Sequence, residues 1–190
     1  MVEIQLVRVG HVSQDVVDFL CMTLPDSLGL KCSVLKPVLD PSGAYNAARH
    51  QYNSIDLLLL IAGLRTQPGV KVLGLIPFDL FIPILTFVFG QAQLNNRNAV
   101  MSFHRLRQTY YGLPEDEDLF LTRCEKEALH ELGHTFGLVH CRNFECVMYL
   151  SNAIEQVDLK MAAFCGVCRE QLDGAVAQPT AFGPQATQGT

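Results

Sequence analysis

Residues 130–140, HELGHTFGLVH, impose a local geometry on any fold this chain adopts. His130 and His134 are four apart, so on a helix their imidazoles lie on one face, one turn apart, within reach of a single ion. His140 can share that ion only if the helix stops. Continued without a break, the helix would carry the third ring about 9 Å further along its axis than His134. Gly137 stands where a left-handed residue can turn the chain back at no Cβ cost. The spacing HxxxHxxGxxH therefore predicts a helix, a glycine stop and a returning segment that brings His140 back as a third ligand.

Three neutral imidazoles leave the fourth position of a tetrahedral zinc free for water, the arrangement of a catalytic rather than a structural site. Glu131 points about 100° round the helix from His130, so its carboxylate can reach that water without closing the coordination shell. In that position it would act as general base and then as general acid. The plainer reading makes it a solvated helix glutamate like Glu125 or Glu127.

Of the seven cysteines, Cys141, Cys146, Cys165 and Cys168 crowd the C-terminal quarter, whereas Cys21, Cys32 and Cys124 are scattered. Four thiolates close a zinc shell completely and make a structural site. A reduced dithiol pair or a redox CxxC at 165–168 are the alternatives. A zinc on the four thiolates would tie the residues after the histidine helix to the last helix, and its binding energy would be folding energy. Cys124 lies on a stripe with Leu121, Ala128, Leu132 and Phe136 and reads as core, as do Cys21 and Cys32. Met148 also reads as an ordinary core methionine on spacing alone.

A 190-residue chain, 49% hydrophobic and with a net charge of -5, fits one globular domain and offers no basic face for nucleic acid. Glu3 and Arg8 interrupt what would be the apolar core of a signal peptide, so a cytoplasmic location is expected. The run 74–90, GLIPFDLFIPILTFVFG, is broken by Pro77, Asp79 and Pro83, and reads as buried strand and loop rather than a membrane span. The first half reads as alternating strands and helices: VEIQLVRV, VSQDVVDFLCMTLPDSLG, LKCSVLKPVL, AYNAARHQYN and SIDLLLLIAG. That order puts AYNAARHQYN in a helix, SIDLLLLIAG in a strand, and the whole in an α/β arrangement with a largely parallel sheet. TFVFGQAQL and AVMSFHRLR, joined by Asn95, Asn96 and Arg97, predict a hairpin with one strand at the sheet edge. A helix is read from Leu119, and a last one over much of 153–172. His104 reads as a strand histidine with no ligand role, Arg105 and Arg107 as a solvated strand end. Arg49, Gln51 and Tyr52 are open between orienting a substrate and packing.

HELGHTFGLVHC, then CVM, then CGVC, resembles the metzincin clan of zinc peptidases and within it the archaemetzincins, of archaeal type. The segments AYNAARHQYNS, DLFIPILTFVFGQA and SNAIEQVD resemble the same family, and the likeness runs to about Gln171. It implies a compact α/β domain over residues 1–172, in which an N-terminal portion (residues 1–137) is followed by a zinc-stapled C-terminal portion (residues 138–172), and a twisted mixed sheet with an antiparallel edge strand. It implies two zinc ions, one catalytic on His130, His134 and His140, one structural on Cys141, Cys146, Cys165 and Cys168. Glu131 becomes the general base, and Met148 the Met-turn residue, a hydrophobic floor under the metal rather than a ligand. The edge strand would take an extended peptide by strand addition. The expected function is hydrolysis of peptide or protein substrates by a monomer, with no nucleic-acid or membrane partner. The rival is a latent or non-catalytic zinc-stabilised peptide-binding module. Residues 173–190 read as a disordered tail.

Overall fold

The computed structural model describes residues 2–178. Strand β1 (Glu3–Val9) leads through helix α1 (Gln14–Leu28) to β2 (Lys31–Leu39). Gly29 stops α1 in the left-handed region, its N–H donating to the Pro25 carbonyl. Two short strands, β3 (Tyr45–Asn46) and β4 (Gln51–Asn53), precede helix α2 (Ser54–Ala62). Then come β5 (Val70–Ile76), β6 (Leu80–Phe81), β7 (Gly90–Ala92), β8 (Asn98–Ser102) and helices α3 (Glu117–Thr135), α4 (Ile154–Leu159) and α5 (Gly166–Ala177).

The main sheet has the order β2-β1-β5-β8-β7, parallel throughout except for the antiparallel pair β7–β8. A smaller sheet has the order β3-β4-β6. Alternation along the strands sorts two cores. Leu6, Leu73, Leu75 and Met101 face α1 and α3, while Val7, Val72, Ile76 and Val100 face α2. Strand β5 is buried along its whole length, as a central parallel strand covered on both faces is expected to be. At Gly74 a Cβ would collide with Ile61, so α2 lies directly on the strand there.

The α/β architecture, the edge hairpin and the helix ending at Gly137 agree with the sequence, but two neighbouring segments are exchanged. AYNAARHQYN forms turns and the strands β3 and β4, with His50 at φ 54°, and SIDLLLLIAG is helix α2. The Asn53 side chain caps α2 by accepting from the Ile55 N–H, and Leu57, Leu58 and Ile61 turn inward at helical spacing. The strand that completes the alternation is β5, of which the sequence pattern assigns only the end, in the run that starts at Gly74.

The last helix is two. Between α4 and α5 the Val147 N–H donates to the Ala163 carbonyl and the Met161 N–H to the Glu145 carbonyl, so this backbone is spent on the preceding loop instead of a helical ladder. Helix α5 also passes the boundary drawn at 172 and runs to Ala177. The rest of the expected tail, 179–190, lies outside the described residues. The run 74–90 is strand and loop, and among the described residues no helix is long and apolar enough to cross a membrane.

Candidate active site

Helix α3 begins at a cap, Asp116 accepting from the Leu119 N–H, with Glu117 and Asp118 in the positive first turn. Its far end carries the histidines. Gly137 turns at φ 91°, and the His134 carbonyl receives the N–H groups of Gly137 and Asn95, so the stop is anchored to the β7–β8 turn. The His140 ring returns to 5.3 Å from that of His130 and 4.9 Å from that of His134.

Hydrogen bonding sets the tautomers. His130 Nδ1 lies 2.8 Å from the Val147 carbonyl and His134 Nδ1 2.7 Å from the Leu138 carbonyl. A carbonyl only accepts, so each Nδ1 carries the proton and each Nε2 of the neutral ring is a bare lone pair. Those two Nε2 atoms stand 3.1 Å apart. Lone pair facing lone pair is repulsive unless a cation sits between them, so the donor set fits a metal ion. Burial lowers the pKa of all three rings, and the Lys160 charge adds to the effect, so they are poised as neutral ligands. The three offer ligand atoms within 4.8 Å of one another.

Glu131 is 4% exposed and its Oε2 has no hydrogen-bond partner among the described residues. Burial, then the Glu127 charge, raise its pKa well above the usual carboxylate value, against the opposing pull of Lys160. The carboxylate lies against Gly90 on β7, where a Cβ would come within 2.6 Å of Oε1. Met148 is fully buried beneath α3, and its sulfur occupies the space that a side chain at Gly133 would need.

The three histidines and Glu131 line a cavity of about 550 Å³ whose opposite wall is the run 85–92. On either side of β7 the Ser102 N–H donates to the Phe89 carbonyl and the Gln93 N–H to the Asn98 carbonyl. Counting along the antiparallel register, Gln91 also bonds β8, which leaves the backbone groups of Gly90 and Ala92 pointing to the open edge.

Cys141, Cys146, Cys165 and Cys168 bring their sulfurs within 4.8 Å of one another, with Cys141 and Cys165 3.8 Å apart. Backbone N–H groups point at sulfur: Cys165 N–H to Cys146 Sγ at 3.3 Å and Asn143 N–H to Cys141 Sγ at 3.4 Å. The Cys168 N–H at the head of α5 leads in bringing the Cys165 thiol down to about 7. This cluster could hold a second ion. Cys124 is core, whereas Cys21 and Cys32 are half-buried with their sulfurs 3.7 Å apart.

The family model described as Peptidase family M54 matches residues 22–174. The chain belongs to the archaemetzincins. It is 40% identical to the archaemetzincin of Methanocaldococcus jannaschii over 164 residues, 86% of this chain and 89% of the relative. Among solved structures, the archaemetzincin of Archaeoglobus fulgidus in complex with malonate superposes with a TM-score of 0.77 at 36% identity, covering 89% of this chain and 99% of that one. The Methanopyrus kandleri archaemetzincin gives 0.80, also at 36% identity, covering 93% and 96%. Membership makes the chain a zinc metallopeptidase, a hydrolase of peptide bonds.

Two features of this archaemetzincin site run against the sequence reading. Glu127 is no solvated glutamate: it is 3% exposed and pairs with the buried Lys160 ammonium at 2.9 Å. Its place one turn before His130 was the available signal. Arg105 is no solvated strand end either, because both its Nε and Nη2 donate to Asp79 at 2.7 Å. Gly90 and Gly133 gave no signal, since what each accommodates comes from a distant region of the chain. His104 lies in a turn against Tyr110. No metal-ligand group among the described residues includes His11, His50 or His104.

Proposed function

We propose that this archaemetzincin cleaves peptide bonds at His130, His134 and His140 with Glu131 as general base, and that a second, structural zinc sits on Cys141, Cys146, Cys165 and Cys168. The observation that carries the reading is the pair of facing Nε2 lone pairs beside an unpartnered, buried Glu131 oxygen. Zinc bound there supplies a Lewis acid that polarises a carbonyl and acidifies water. Glu131 takes the proton from the attacking water at Oε2 and returns it to the leaving amine. Gly90 and Ala92 offer their free N–H and C=O groups to an extended substrate, which is held as an added strand. Met148 supplies the apolar floor under the histidines and binds nothing. Seven cysteines, four of them read as zinc ligands and the other three as thiols, suit a reducing compartment, and on this reading the chain is a cytoplasmic monomer.

The test is a diverse peptide mixture treated with zinc-loaded protein and read by mass spectrometry. Cuts that vanish on chelation and return with zinc support the proposal, and their positions separate internal from terminal cleavage. No cuts from protein carrying both metals would sink it. Gly90→Ala is a sharper probe, because its methyl group displaces the Glu131 carboxylate. Misplacing a catalytic group by about 1 Å costs on the order of 100-fold. A similar loss in kcat/KM is expected with the zinc content unchanged, and a variant within threefold of the native rate would contradict the contact's role.

A further inference from the structure

The cavity wall at Leu85–Phe89 has little backbone support of its own. Val88 N–H donates to the Leu80 carbonyl, Leu85 N–H to the Ile82 carbonyl and Ser102 N–H to the Phe89 carbonyl, and β7 begins only at Gly90. Four polar side chains outside both apolar cores supply the rest. Arg49 Nη2 donates to the carbonyls of Leu85 at 2.8 Å and Thr86 at 3.2 Å. Gln51, 7% exposed, donates one amide proton to the Thr86 carbonyl at 2.9 Å and the other to Asp79 at 2.8 Å. Its oxygen accepts from Arg49 Nε at 3.2 Å. Asp79 receives the bidentate Arg105 fork, and that guanidinium lies 4.0 Å over the ring of Phe87, which lines the active-site cavity.

Every polar group of the Gln51 carboxamide is spent, so the network is closed and has one geometry. Burial works to raise the pKa of Asp79, but the hydrogen bonds from Arg105 and Gln51 outweigh it and keep the carboxylate charged. Behind the wall lies a second cavity of about 590 Å³, bordered by these side chains and sharing Thr86 with the active-site cavity. Phe87, Val88 and Phe89 pack against the two cores, whereas the Leu85–Thr86 end, with a cavity on each side, is held by side-chain hydrogen bonds.

We infer that Arg49, Gln51, Asp79 and Arg105 are positioning residues for extended substrates, clamping Leu85–Phe89 so that the wall and the open edge of β7 present one continuous docking line. This rests on the peptidase reading for the identity of the ligand. None of the four touches a histidine ligand or Glu131, so the clamp acts on how a long peptide is held and leaves the hydrolytic groups alone.

The experiment uses the zinc-loaded full chain with Glu131→Gln as a binding background, and fluorescein-labelled pools of randomised decapeptides and tripeptides. Adding Gln51→Leu is expected to weaken decapeptide binding about tenfold and tripeptide binding less than twofold. On the native background the same change raises KM for decapeptides and leaves kcat within about twofold, as the loss of uniform binding does. Arg49→Ala, which removes a clasp without entering either core, reproduces the split even where Gln51→Leu folds poorly. Equal weakening of both pools, unchanged decapeptide binding, or no decapeptide binding at all would overturn the clamp. A native chain that binds with the split but never cuts would overturn the peptidase reading instead.

Discussion

Glu131→Gln yields a chain that folds, keeps both zinc ions and cuts peptides on the order of 100 to 10,000 times more slowly, the span that general acid–base catalysis commonly contributes. The amide matches the carboxylate in shape, so the contact with Gly90 survives. It also removes a cost, because a buried carboxylate with an unpartnered oxygen beside the charge of Glu127 is penalised, and a neutral amide is penalised less. With the metals stripped from both proteins, the melting temperature of the variant is therefore expected to equal or exceed that of the native chain, since no zinc charge then favours the carboxylate. That opposition of rising stability and collapsing turnover marks a group kept for chemistry at the expense of the fold. Parallel kinetics, melting curves and metal analysis decide it. A rate within tenfold of native, or a marked drop in melting temperature, would remove Glu131 from the role.

Cys146→Ala has the second large effect, and acts at a distance. Zinc content is expected to fall from two ions to one or none. Each kcal/mol lost moves the melting temperature of a domain this size by about 2–4 °C, and breaking a structural zinc site costs several of them. Activity falls with it because the cysteine loop carries several elements of the active site. Cys141 adjoins His140, the Val147 carbonyl sets the His130 tautomer, and Met148 lies under Gly133. Loosening the loop releases all three. Cys124→Ala, in the apolar core, is the control: it keeps two zincs and melts only slightly earlier. Full activity and two bound zincs in Cys146→Ala would show that the cluster does not brace the site.

The helix, the stop at Gly137 and the convergence of three histidines were legible because that motif is local: the spacing within eleven residues leaves few geometries in which the rings can meet. The exchange between 44–53 and 54–63 has the opposite cause. A helix as apolar as LLLLIA, partly exposed and partly sunk against Gly74, shows no clean period and looks like a buried strand. The true central strand, VKVLGLI, is buried on both faces and, Lys71 apart, shows no alternation. Gly90 opposite Glu131, Glu127 on Lys160 and the clamp on Leu85 and Thr86 join residues 33 to 41 apart, and pairings of that kind carry no local signature.

The edge of β7 also works as a ruler. Gly90 and Ala92 present free backbone groups, whereas those of Gln91 between them are committed to β8. A peptide laid on that edge can slip only by two residues at a time, a step of about 7 Å, because a one-residue slip would face spent groups and turn every side chain over. The sequence around a cut is then read in alternation, every second side chain directed at the cavity and the ones between left to solvent.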